Sequence, residues 1–161
     1  MYDAKLLSTA YMTPRQLEIW DLNRRGKSRA EIGRRFEFTR QAVYDALKVS
    51  NEKVENALRH AAEAGSVEIL KVDAKNGILL GLTPVDSSKV IITLSVKHGV
   101  QTWHFEEPNC GSCKWVKRCT ERLLDEAEER NIALSIENKK MPPSKLAQVI
   151  FAKLLPELEQ P

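Results

Sequence analysis

The amino-acid sequence predicts an α+β protein, in which an N-terminal all-α helix-turn-helix with a long third helix precedes a small antiparallel sheet with helices. Three observations lead to this fold class. Three helix-start signals stand before residue 40, an uninterrupted helical pattern runs on toward Gly65, and two pairs of β-prone segments follow. We expect two domains, residues 1–65 and residues 66–161, because the pattern changes from helical to β-prone at that point.

Composition excludes several other classes of protein. The chain has 161 residues, of which 42% are hydrophobic and 29% charged, and its formal net charge is +3. This balance is typical of a globular protein rather than a disordered or fibrous one. No apolar run reaches the roughly 20 residues that cross a bilayer, and the first ten residues lack the pattern of a signal peptide. We therefore expect a cytoplasmic protein with no membrane partner.

Each of the three N-terminal helices has its own start signal. Thr13 with Gln16 and Ser28 with Glu31 form predicted capping boxes, and Thr39 opens the third helix. A short second helix, a tight turn and a third helix with a polar outer side form a helix-turn-helix, whose last helix enters the major groove of DNA. Residues 24–40 include seven basic and two acidic side chains, which favours a phosphate backbone as partner.

Residues 13–47 resemble the helix-turn-helix shared by sigma-factor region 4, the LuxR-type regulators and the archaeal Tfx-type regulators, and they are most similar to the archaeal type. The segments that carry the resemblance are TPRQLEIW, RAEIGRRF and FTRQAVYDAL. The resemblance implies a sequence-specific transcriptional regulator that binds double-stranded DNA. The turn departs from the family pattern at Glu37, because such turns usually hold Gly; a left-handed backbone there costs a Glu roughly 1 kcal/mol.

The predicted DNA-binding side chains form a base-reading group and a phosphate-binding group. Arg40 and Gln41, at the start of the third helix, are suited to base edges, because Arg pairs with guanine and Gln with adenine. Tyr44 fits a thymine methyl group or a phosphate, and Lys48 fits a phosphate. The alternative for any one of these charges is a solvated helix face. The full predicted set is Lys27, Arg29, Arg34, Arg35, Thr39, Arg40, Gln41, Tyr44 and Lys48.

The third helix is predicted to continue for about 25 residues, or about 37 Å. One side of it carries small and apolar residues at alternating spacings of four and three, which is typical of a short coiled coil. The members of this seam are Val43, Leu47, Ser50, Val54, Ala57 and Ala61. The seam predicts either a homodimer contact or packing against the C-terminal part of the same chain. We favour a homodimer, because paired half-sites increase both affinity and specificity.

The C-terminal part has the pattern of an α+β unit. Residues 67–72 and 78–83 form a predicted hairpin around Asn76-Gly77, and residues 89–96 and 100–105 form a second one. An amphipathic helix over residues 120–130 and a last helix capped by Ser144 are predicted to follow. The sequence has no glycine-rich phosphate loop, no nucleophile elbow and no recognisable pair of catalytic carboxylates. We therefore expect a protein that is not an enzyme.

Cys110, Cys113 and Cys119 stand together in the segment PNCGSCKWVKRC. Two residues between the first two cysteines allow both thiolates to face one ion. The spacing is similar to the last three ligands of the iron–sulfur loop in DNA glycosylases and related nucleases, whose fourth cysteine falls where this chain has Trp103. The resemblance implies the neighbouring His104 as a substitute ligand. A hydrogen-bonded imidazole that binds no metal is the alternative for His104.

A [4Fe–4S] cluster is the favoured occupant, zinc is the alternative, and three ordinary reduced thiols remain the third possibility. With an occupant, the chain would be a regulator that responds to redox state or metal through its C-terminal sensor and dimerisation domain. Three other functions stay open. They are a zinc-stapled transcription factor without sensing, an adaptor that docks on RNA polymerase or general transcription factors, and an iron–sulfur DNA-processing enzyme. No motif of acidic residues for catalytic magnesium supports the enzyme.

Overall fold

A computed structural model describes residues 12–105 and 110–159, and it confirms the α+β class. The N-terminal helices are α1 (Pro14–Arg24), α2 (Arg29–Phe36) and α3 (Arg40–Ala64). The strands are β1 (Glu68–Asp73), β2 (Ile78–Leu82), β3 (Lys89–Ser95) and β4 (Gly99–His104). The later helices are α4 (Val116–Glu129), α5 (Ile136–Lys139) and α6 (Pro143–Ala152), with single 3-10 turns at Cys110–Ser112 and Pro156–Glu159. No helix in the described ranges is long and apolar enough to cross a membrane.

Both predicted capping boxes are confirmed. At the start of α1 the Thr13 hydroxyl accepts from the Gln16 amide at 3.2 Å, and the Gln16 side chain accepts from the Thr13 amide at 3.0 Å. Ser28 and Glu31 form the same reciprocal pair before α2, at 3.2 and 2.7 Å. These bonds satisfy backbone N–H groups that would otherwise lack partners, so the entry of each helix is fixed locally.

The turn between α2 and α3 depends on Gly33 and on an unusual Glu37. A Cβ atom at Gly33 would lie 2.6 Å from the carbonyl oxygen of Phe38, so only glycine allows the turn to fold back this closely. Glu37 adopts a left-handed conformation, with φ 57° and ψ 38°. The turn therefore has the backbone that the helix-turn-helix family usually builds with glycine, and the chain carries the strain of a side chain there.

The sheet is antiparallel with the order β1-β2-β3-β4, so both predicted hairpins are confirmed. Gly77, in the first hairpin turn, has φ +64°, and a Cβ atom there would lie 2.9 Å from the ring of Trp20. This glycine therefore permits both the turn and the seat of α1 against the sheet. One face of the sheet packs on α3 through Val54 and Leu58, and the other packs on α4 and α6.

The C-terminal helices differ from the prediction in three places. Helix α4 begins at Val116 rather than at residue 120, since the Cys119 amide already donates to the Trp115 carbonyl. Helix α6 has Pro142 as its N-cap and Pro143 in its first turn, so Ser144 is not the cap. A one-turn helix α5, held by a capping box of its own, was not predicted.

The seam along α3 packs within its own chain, which is one of the two alternatives that its sequence pattern predicts. Val54, Ala57 and Leu58 are buried, and Ser50 donates to the Ala46 carbonyl at 2.8 Å inside the packed region. The alternative prediction, packing against the C-terminal part, is the one observed. The same core cluster joins α1 and α3 to the sheet across residue 65, so the two predicted domains share a core. The domain boundary and the homodimer stay predictions.

Candidate nucleic-acid interface and cysteine cavity

The N-terminal half of α3 exposes its polar side to solvent. Val43 and Leu47 point into the apolar cluster with α1 and α2, whereas the predicted base-reading residues on the other side are exposed. No later segment within residues 12–105 and 110–159 buries this side. All nine predicted DNA-binding residues are exposed, namely Lys27, Arg29, Arg34, Arg35, Thr39, Arg40, Gln41, Tyr44 and Lys48.

Two contacts orient side chains on this exposed surface. The guanidinium of Arg29, at the start of α2, lies 5.3 Å from the ring centre of Tyr44, whose side chain is 48% exposed. The Gln41 side-chain amide donates to Asp45 at 3.1 Å, one turn further along α3. A bidentate contact with adenine would require the contact with Asp45 to break, because it needs the same side-chain nitrogen as donor.

Basic charge on this surface is only partly compensated. Arg35 pairs with Glu18 at 2.7 Å and Lys27 lies 4.0 Å from Glu31, while Arg34, Arg40 and Lys48 form no ion pair within the described ranges. Hydrogen bonds from Ser28 to the Glu31 carboxylate hold the pKa of Glu31 below its ordinary value, so that partner stays ionised. A surface with this excess of unpaired cations attracts a polyanion.

Arg24, one of the seven basic residues counted in the segment 24–40, does not belong to this surface. Its side chain is buried and pairs with Asp21 and, at 3.2 Å, with Glu129. Arg25 is partly buried and pairs with Asp21 at 3.0 Å. The basic surface is therefore smaller than the sequence count indicated, and it begins at Lys27.

The three cysteines line one cavity. Cys110 begins the 3-10 turn Cys110–Ser112 and Cys113 follows it, with the Cys113 amide 3.4 Å from the Cys110 carbonyl. Cys119 lies in the first turn of α4. All three are free thiols and half-buried. The cavity has a volume of about 620 Å³. Its other lining residues include His104, Gln101, Trp103, Arg118, Arg122 and Ser144.

The surroundings of Cys119 favour the protonated form of its thiol. Burial raises the pKa of Cys119, and the nearby Cys113 and Cys110 raise it further, while Arg122 and Arg118 oppose the shift. Cys110 also lies 3.8 Å from the Ser144 hydroxyl, to which its thiol donates. Because its pKa is raised, the Cys119 thiol holds its proton more firmly, and a metal that binds Cys119 must displace that proton.

The side chains that line the cavity are suitable metal ligands, but they are not arranged around one common point. Three thiols and an imidazole are ligands for zinc and, with the thiols leading, for iron–sulfur clusters. Within residues 12–105 and 110–159, no three His, Cys, Asp or Glu side chains are placed to hold one ion. His104 ends β4, is exposed and lines the same cavity, but residues 106–109, which join it to Cys110, lie outside the described ranges.

A buried polar network behind the cavity was missed by sequence reasoning. Glu126 and Arg130 form an ion pair whose side chains are fully buried, and Glu126 accepts from Thr93 at 2.6 Å and from Gln101 at 2.7 Å. Burial lowers the pKa of Arg130, a shift that the Glu126 carboxylate opposes. The signal was present in the sequence, since Glu126 and Arg130 fall on the same stripe of α4 as the buried Leu123.

Comparisons of the chain with protein-family models, with curated proteins and with solved structures find no match. The resemblance of residues 13–47 to helix-turn-helix regulators therefore rests on their sequence motifs and on local geometry. That geometry consists of the two capping boxes, the close approach at Gly33 and the exposed polar side of α3.

Proposed function

We propose that this protein is a transcriptional regulator that binds double-stranded DNA in a sequence-specific way through the N-terminal half of α3. The observation that carries the proposal is the exposed side of that helix, where Arg40, Gln41, Tyr44 and Lys48 share one solvent-facing surface. A helix presented by a short preceding helix and a tight turn is the geometry that enters a major groove. The uncompensated cations of α2 flank it and suit phosphate contacts.

We further propose that the cysteine cavity holds a metal centre that regulates DNA binding. Cys110, Cys113 and Cys119 would be ligands and His104 a fourth one, with a [4Fe–4S] cluster favoured and zinc the alternative. The grouping of three free thiols around one cavity supports this proposal. Such a centre would supply a redox-sensitive or metal-sensitive change of charge and loop order.

The first experiment selects a binding sequence from a pool of random DNA duplexes and compares variants on it at fixed salt. We expect Arg40→Ala and Gln41→Ala each to lower the binding free energy for the selected sequence by about 1–3 kcal/mol. Each variant should also discriminate less between bases at the one position that its missing side chain contacts. Lys48→Ala should weaken binding to all sequences and reduce the salt dependence by about one phosphate contact. Arg59→Ala, on the far half of α3 and paired with Glu55, is the matched control.

Two outcomes would overturn the DNA-binding assignment. One is unchanged affinity and base preference in both the Arg40 and Gln41 variants. The other is a wild-type protein whose weak DNA binding does not depend on salt, because a direct phosphate contact releases counterions. The second outcome would favour the adaptor that docks on RNA polymerase, since an exposed helix surface also suits a protein partner.

The second experiment measures the metal content and visible absorption of the protein purified without oxygen. Broad absorption with iron and sulfide indicates a cluster, whereas a colourless protein with one zinc indicates the alternative. Cys110→Ser, Cys113→Ser and Cys119→Ser should each lower the bound metal, and His104→Ala tests the fourth ligand. Protein with neither metal, and with three titratable thiols, would overturn the metal proposal.

A further inference from the structure

The starting point is an unpartnered acceptor in the wall of the cysteine cavity. Gln101, on β4, is 8% exposed, and its side-chain nitrogen donates to Glu126 at 2.7 Å. Its side-chain oxygen has no partner within the described residues, although the residue lines the cavity. The bond to Glu126 fixes which end of the amide faces away from the carboxylate. A buried acceptor without a partner costs about 1–3 kcal/mol, so this oxygen is suited to a donor that enters the cavity.

From Gln101 a continuous set of buried contacts leads to α1. Glu126 pairs with Arg130, and Arg130 donates to the Leu94 carbonyl at 3.3 Å. Arg24, the last residue of α1, donates to the same carbonyl at 3.3 Å and pairs with Glu129 at 3.2 Å. Every side chain in this set is buried. The cavity wall and the first helix of the helix-turn-helix are therefore joined through charged groups in a region of low dielectric constant.

The far end of α4 has a second connection to the same helix. Glu129 accepts from the Ser95 hydroxyl at 2.9 Å and from the Val96 amide at 3.1 Å, which binds α4 to the end of β3. Asn131 then donates to the Arg25 carbonyl at 3.1 Å. Because Cys119 lies in the first turn of α4, a change at the cavity acts on a helix whose other end contacts α1.

We propose that Gln101 detects the occupant of the cysteine cavity and that the buried network from Glu126 to Arg24 couples this occupant to the helix-turn-helix. The inference rests on the proposed function, since it names how the cysteine site regulates DNA binding. The metal centre has no donor of its own, so the donor is a water in the cavity. This water donates one O–H to a cysteine sulfur that has lost its proton to the metal and the other O–H to the Gln101 oxygen. Both ends of the amide are then bonded, which favours the arrangement of Glu126 and Arg130 that seats Arg24.

The buried charges make this coupling discrete rather than gradual. A paired charge in a packed core cannot shift far without losing a hydrogen bond, so the network either keeps its present partners or exchanges them. Two ligands are coupled when each favours the same arrangement, and the effect is measured as a ratio of affinities. The measurable quantity is therefore the operator affinity with the cavity occupied, divided by the affinity without an occupant.

The experiment compares this ratio in three proteins, which are the wild type, Gln101→Met and Thr102→Ala. Gln101→Met removes the acceptor and the amide donor to Glu126 at similar volume. Thr102, the next residue of β4, borders the same cavity with its side chain on the other face of the sheet and is the control. Operator affinity is measured for anaerobically purified protein, for chelator-treated reduced protein, and for the latter after addition of Zn²⁺. Metal binding by each variant is measured separately.

We expect a wild-type ratio within the roughly 5–150-fold range of allosteric coupling, a similar ratio for Thr102→Ala, and a ratio within about twofold of one for Gln101→Met. Metal binding and the affinity of the metal-free variant for DNA should change little. A wild-type ratio of one in every state would overturn the regulation itself. A responsive wild type with an equally responsive Gln101→Met would overturn only the role of Gln101. If Gln101→Met does not fold, Gln101→Asn, which withdraws the amide by one methylene, takes its place.

Discussion

Inside the three N-terminal helices the buried cluster is apolar, whereas the interface between α4 and the sheet buries charged side chains. Ile19, Ile32, Val43 and Leu47 form this cluster, and its partly buried neighbours are apolar as well. Behind the cysteine cavity, Glu126 and Arg130 form a buried ion pair in which each neutralises the charge of the other. The apolar cluster should tolerate substitutions by apolar residues of similar volume. The buried ion pair should lose stability when either of its two residues is replaced alone. The two regions should therefore respond differently to substitution.

The largest effect is expected at Glu126. Glu126→Leu leaves the guanidinium of Arg130 buried without its carboxylate, so we expect a loss of about 3–5 kcal/mol in the free energy of unfolding. Urea denaturation measures this loss. The control is Glu128→Leu on the exposed side of the same helix, which should change stability by no more than about 0.5 kcal/mol.

A double substitution sharpens the same comparison. Glu126→Leu with Arg130→Met replaces the ion pair by apolar side chains, and we expect it to recover most of the stability lost by Glu126→Leu alone. Recovery would indicate that the pair is retained for something other than stability, as the coupling inference requires. If Glu126→Leu costs no more than Glu128→Leu, the contrast between the two regions is wrong.

The same contrast explains how far the sequence predicts the structure. The capping boxes, the role of Gly33 and both hairpins follow from residues within a few positions of one another, so local chemistry determines them. The pair between Arg24 and Glu129 joins residues 105 positions apart, and no local pattern identifies such partners. The sequence pattern therefore counts Arg24 among the basic residues of the surface, although its side chain is fully buried.

The candidate sites divide in the same way. The exposed side of α3 follows from helical periodicity, because Val43 and Leu47 fix which side is buried. The cysteine spacing predicts a shared location, and the three thiols do line one cavity. Whether His104 completes a ligand set depends on how the end of β4 approaches the cysteine loop, and spacing along the chain does not determine that approach.

The next largest loss of stability is expected at Gly33, where α2 turns back toward α3. Gly33→Ala places a methyl group against the Phe38 carbonyl, which must move with the whole turn, so we expect a loss of about 1–3 kcal/mol in stability. Operator affinity should fall as well, because α2 and α3 change their relative position. Gly65→Ala is the matched control, since its methyl group would lie no closer than 3.4 Å to any atom. Equal stability of the two variants would contradict the close approach at Gly33.

The smallest effect is expected at Glu37, where a residue other than glycine has a left-handed backbone. Glu37 is exposed and has φ 57°, so Glu37→Gly relieves the strain of the left-handed backbone without removing a packing contact. We expect a gain of about 1 kcal/mol in the free energy of unfolding. The same substitution at the exposed Glu52, inside α3, should have the opposite sign and cost about 1 kcal/mol, because glycine is a poor helix former. A loss of stability at both positions would mean that the turn does not adopt the left-handed conformation. A gain at Glu37 alone would indicate that the left-handed turn forms here although its residue is not glycine.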